Sequence, residues 1–103
     1  MAKKNADPDI QSILNVLGPY KKAHRQAKID VVRRNNAILR IRIIDQNFKG
    51  LNLVQRDNLL WTFLDNLPED VFAQITMLLL LTPEEAQKSW VNLEFDELPA
   101  LPC

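Results

Sequence analysis

Apolar positions along the chain change their spacing several times, and each change marks an element. Ile10, Ile13, Leu14 and Leu17 recur at helical spacing, and Tyr20 and His24 extend the stripe. Asp7-Pro8 suits the start of that helix, because Asp caps free amides and Pro at the first helical position gives up no needed donor. Gly18-Pro19 breaks or kinks it, since Pro19 has no N–H for the carbonyl of Asn15. The pattern predicts a helix over Pro8–Leu17 and a second helical stretch to about His24, which reads as a helix-end residue.

Lys28–Arg34 and Ala37–Asp45 then alternate with period two, and Asn35-Asn36 between them suits a turn needing positive φ. A two-residue loop sets Val32 opposite Leu39 and puts Lys28 and Asp30 on the face of Leu39, Ile41 and Ile43. An odd loop such as 34–36 pairs Val31 with Leu39 and Ile29 with Ile41. That leaves one apolar face and one face with Lys28, Asp30, Arg40 and Arg42, so the odd loop is expected.

A helix from about Asn52 to Leu67 places Leu53, Leu60 and Leu64 on one face, with Val54 and Trp61 on its flank and Asp57 amid the stripe. Pro68-Glu69-Asp70 breaks it or starts a short helix through Val71-Phe72-Ala73. Ile75–Leu81 is almost wholly apolar, the pattern of a strand covered on both faces or central in its sheet. Thr82-Pro83-Glu84-Glu85 is a capping box opening a last helix with Ala86, Trp90 and Leu93 inward. The expected organisation is a tail over 1–7, one α+β domain over 8–98 and a mobile Pro-containing tail over 99–103. The domain is a three-stranded sheet with helices on one face, in the order αββααβα.

Composition narrows the function classes. The chain has 103 residues, 47% hydrophobic and 25% charged, which is enough for one core without covalent staples. One Cys (Cys103) and one His (His24) leave neither a disulfide framework nor a Cys- or His-rich metal site. The start, MAKKNADPD, has no apolar stretch of signal-peptide type, and Met77–Leu81 is far too short to span a membrane. A cytoplasmic chain, monomeric or weakly dimeric, is expected. Net charge is zero, yet residues 1–56 carry twelve Lys/Arg against four acids (+8), and residues 57–103 carry Lys88 against nine acids (−8). Such polarity suits either an anionic partner or mutual neutralisation of the two halves within one fold.

Three short motifs carry a family resemblance: Phe48-Lys49-Gly50, then Val54-Gln55-Arg56-Asp57-Asn58-Leu59-Leu60-Trp61, then Thr82-Pro83-Glu84-Glu85. With the element order, they resemble the BolA family over roughly residues 8–90. They correspond to its Phe-x-Gly turn, its Gln-Arg-His-Arg helix motif and its closing Thr-Pro-x-Glu. The resemblance implies a fold related to type II KH domains. It also implies two cluster-ligand histidines shared with a monothiol glutaredoxin, and these fall on Asp57 and near Gln74 here. Neither residue offers the thiolate or imidazole an iron–sulfur centre requires, so no cofactor is expected.

The leading reading is a non-catalytic module that binds a protein partner, with Asp57, Arg56, Phe48 and Gln74 as candidate contact residues. Asp57 is either a structural carboxylate tied to a basic residue of the first half or a partner-binding group. The alternative is single-stranded nucleic-acid binding through the basic hairpin residues Lys28, Arg33, Arg34, Arg40 and Arg42. Against it, no Gly-x-x-Gly loop exists and no aromatics interleave with the basic positions. Cross-strand pairing of Asp30 with Arg40 is the structural explanation of that charge. Ser12 and Ser89 have no paired base, so no enzyme is expected.

Overall fold

A computed structural model describes residues 7–88 of the chain. Its elements are α1 (Pro8–Val16), α2 (Gly18–Ala23), β1 (Lys28–Asn35), β2 (Ile38–Ile44), a 3-10 turn (Gln46–Phe48), α3 (Leu53–Leu64), α4 (Glu69–Phe72), β3 (Ile75–Leu81) and α5 (Pro83–Lys88). The α+β reading and the element order hold, with α1 and α2 as the two pieces that Gly18-Pro19 predicts. Asp7 caps α1, its carboxylate accepting from the amides of Asp9 and Ile10 at 3.0 and 3.3 Å. Trp90, Leu93 and the C-terminal tail lie outside the described residues.

The sheet has the order β1-β2-β3, with β1 antiparallel and β3 parallel to β2. Ile75–Leu81 is therefore an edge strand among the described residues, not a central one. Its apolar run buries Leu80 and Leu81 and leaves Met77, Leu78 and Leu79 half-buried.

The hairpin keeps the expected faces by a different route. Ile29 pairs with Ile43 and Val31 with Ile41, two residues beyond the expected partners. The turn itself is two residues, 36–37, and the odd residue is supplied by a bulge between Arg33 and Asn35. No positive φ is needed at either Asn. Instead the Asn35 side chain accepts from the Ala37 amide at 2.8 Å, closing an Asx turn.

Leu39, Ile41 and Ile43 are completely buried, and they meet Ile13, Leu17, Tyr20, Phe48, Leu60 and Leu64 in one core. Gly50 adopts φ +86°, a conformation that favours glycine and lets the chain turn from Phe48 toward α3. Asn52 and Gln55 form a reciprocal capping box at the start of α3. The inward face of α3 is Arg56, Leu60 and Leu64, four residues apart, whereas Leu53 and Val54 are 72% and 66% exposed. The expected stripe thus begins at Arg56 rather than Leu53. Asp57, one position further and about 100° round the helix, faces solvent. Among the described residues it has no hydrogen-bond or ion-pair partner, so the expected tie to a basic residue is absent.

Candidate functional site

Arg56 is the most deeply buried of the candidate arginines. Position 56 lies on the buried face of α3, where a long aliphatic stem can pack and only its head needs polar partners. Nε donates to the carbonyl of Leu51 and Nη1 to that of Leu80, both at 3.0 Å. Nη1 and Nη2 also grip the two oxygens of Glu85 at 2.6 and 3.1 Å. The guanidinium carbon sits 5.6 Å from the Phe48 ring centre. Glu85 is at the same time the capping-box acid of α5, accepting from the Thr82 amide at 3.0 Å while Thr82 Oγ1 accepts from the Glu85 amide at 3.1 Å. The Arg56 hydrogen bonds, and next the Thr82 amide, pull the Glu85 carboxyl down to about 2. One arginine therefore fastens α3, the end of β3 and the start of α5 together.

Phe48 belongs to this cluster but is fully buried, so it presents no surface to a partner. Gln74 does not belong to it. It precedes β3, whereas Arg56 reaches Leu80 near the other end, six residues and about 20 Å along the strand. Gln74 Nε2 donates to Asp9 and to the Asp70 carbonyl at 3.0 and 3.1 Å, and its Oε1 accepts from Arg33 at 3.1 Å. Arg33 pairs in turn with Asp7 at 2.5 Å and Asp9 at 3.0 Å, pinning the start of α1 to the hairpin tip. Its hydrogen bond holds the Asp7 carboxyl below the usual carboxylate range, helped by the Ile10 and Asp9 amides.

Part of the basic hairpin is likewise engaged within the fold. Arg42, not Arg40, stands opposite Asp30, and its Nη2 and Nε donate to that carboxylate at 2.7 and 3.0 Å. The two-residue shift in register accounts for the exchanged partner. Arg40 is half-buried with Nε and Nη1 lacking hydrogen-bond partners, and Arg34 is half-buried. Of the five candidate nucleic-acid residues, only Lys28 is exposed.

A further polar cluster lies outside the residues that the sequence singles out. Asp45 is 2% exposed and accepts from the Tyr20 hydroxyl, from the Asn47 amide at 2.9 Å and from Asn47 Nδ2 at 3.0 Å. Burial, and next the Asp45 carboxylate, push the Tyr20 hydroxyl pKa well above its ordinary value. His24 stacks on the Tyr20 ring at 4.2 Å. An acid closing an apolar strand and followed two residues later by Asn is the sequence signal for such a cap.

Two surface features stand apart from these polar clusters. Leu53 and Val54 stand side by side on the first turn of α3, with Gln55 and Asp57 exposed around them. A groove of about 650 Å³ runs between α1–α2 and the start of β1. Among the described residues no helix is long and apolar enough to cross a membrane. No protein-family model, curated protein or solved structure matches the chain.

Proposed function

We infer that the chain is a non-catalytic, BolA-like binding module that acts through protein contacts, with the start of α3 as its docking surface. The observation that carries this reading is the pair Leu53 and Val54, 72% and 66% exposed on a helix whose polar neighbour Arg56 is turned inward. Two adjacent large apolar side chains kept in water form a patch that a partner can cover. Asp57 lies exposed on the same helix and supplies a charged rim. The expected order of elements is kept, and Gly50 of the Phe48-Lys49-Gly50 turn has a positive φ. Of the five hairpin cations that would grip phosphates, Arg33 and Arg42 are paired with Asp7, Asp9 and Asp30, and only Lys28 is exposed. Protein contact is therefore favoured over nucleic acid.

The test is a Leu53→Ser/Val54→Ser double variant of the full chain, tagged and recovered from cells that natively express it. The variant is expected to melt within a degree or two of the parent, since neither side chain joins the core, and to lose the proteins that co-purify with the parent. Co-purification that survives the substitution, or that disappears on nuclease treatment, would refute the reading.

A further inference from the structure

The groove beside β1 has an unusual lining. Leu14, Leu17, Ala27 and Ile29 form its apolar floor, and Leu14 is 40% exposed. Lys28 and Asp30 also line it, although they point to the opposite side of the pleat from Ile29. The groove therefore runs along β1, which forms one edge of the sheet. Among the described residues, only β2 hydrogen-bonds to the main chain of Lys28–Val32, so none of them pairs with its outer edge.

The rim is charged with one sign. Lys22 and Lys28 are exposed there, and Arg25 follows on the same stretch of chain. Lys21 lines the groove as well, with its ammonium donating to the carbonyls of Arg25 and Ala27. Among the described residues Asp30 is the sole acid of the lining, and its carboxylate is held by Arg42. Lysines on an edge strand repel basic or neutral strands that would otherwise add to it. The same lysines admit a strand that carries carboxylates.

We propose that the outer edge of β1 binds an extended, acidic peptide segment of a partner protein by strand addition. The segment hydrogen-bonds to the free main-chain groups of Lys28–Val32, as an added strand does. Alternate residues of the segment are apolar and enter the groove over Leu14, Leu17 and Ile29, where a carboxylate at either end of the segment meets Lys22 on the rim. Those between them are Asp or Glu and lie on the side to which Lys28 points. This rests on the reading of the chain as a protein-binding module, and it assigns a surface separate from Leu53 and Val54.

The experiment is selection from a library of randomised eight-residue peptides against the full chain, with enriched sequences synthesised and their affinity measured by fluorescence anisotropy. Alternating apolar and acidic sequences are expected, binding more weakly as salt is raised. Lys22→Glu/Lys28→Glu is expected to weaken them about tenfold with the melting temperature unchanged. Methylating every second peptide amide is expected to abolish binding in one phase and spare it in the other, because only one edge of an added strand pairs. The Leu53→Ser/Val54→Ser variant is expected to bind the peptides as the parent does, so the two surfaces stand or fall separately. The proposal is overturned by the absence of enrichment, by enriched peptides without acidic residues, or by indifference to amide methylation. Peptide displacement that occurs only because the chain pairs with a second copy, seen as a concentration-dependent dimer blocked by the lysine reversals, would overturn it as well.

Discussion

Replacing Arg56 by Met should cost about as much as a large-to-small change in the core, because position 56 lies on the buried face of α3. The methionine retains much of the stem's packing against Phe48 and removes the guanidinium, whose four hydrogen bonds join three elements. Hydrogen bonds from a charged donor contribute about 1.5–3 kcal/mol each, offset by the relief of no longer burying a cation. Glu85 keeps 44% of its side chain exposed and can resolvate, so its share is discounted to about 1 kcal/mol. The net destabilisation is about 2–4 kcal/mol, read from urea denaturation followed by far-UV circular dichroism. Glu85→Gln should cost about 1 kcal/mol, with a positive coupling to Arg56→Met in the double-mutant cycle. The pH dependence has a definite sign. The Glu85 carboxyl is lowered on folding from an ordinary 4.5 to about 2, so its contribution is complete above pH 4.5 and is lost as pH falls toward 2. Glu85→Gln removes that part of the profile. A loss below about 0.5 kcal/mol for Arg56→Met, or parallel acid profiles for parent and Glu85→Gln, would refute the clamp.

Ile41, completely buried, should cost roughly 2–5 kcal/mol as Ala, and the half-buried Val32 clearly less; equal losses in urea denaturation would contradict the bulged register. Tyr20→Phe leaves the buried Asp45 carboxylate short of a donor and should destabilise the domain by about 1–3 kcal/mol, checked by thermal melting at neutral pH. Asp57→Leu should change stability by less than about 0.5 kcal/mol, because the side chain is exposed and unpaired; a drop like that of Arg56→Met in the same melt would show a tie the structure lacks.

Element boundaries were legible wherever a local chemical signal existed. Asp7-Pro8, Gly18-Pro19 and the Thr82–Glu85 capping box each act within one turn, and each appears where its residues stand. The two faces of the hairpin were legible as well, because the core tolerates only one parity. The bulge was not, since a two-residue turn plus one extra strand residue and a three-residue loop give the same faces. The candidate site was read less well, for a reason particular to α3. Its apolar positions fit two overlapping stripes, and periodicity alone assigned Leu53 to the core and left Arg56 outside. The choice between them is made by Glu85, Leu51 and Leu80, which no local pattern connects to Arg56. Gln74 and Arg33 are similar: what each does depends on Asp7 and Asp9, some 25 to 65 positions away in sequence.

The central claim is that the start of α3 touches a protein partner, and site-specific photo-crosslinking tests it most directly. A benzophenone amino acid is placed at Val54 and, separately, at Thr62, which is also exposed on α3 but lies about two turns further along. After irradiation in cells that natively express the chain, position 54 is expected to give a discrete adduct with another protein, identified by mass spectrometry, and position 62 none. Equal labelling at both positions, an adduct with nucleic acid, or no adduct at position 54 would contradict the account.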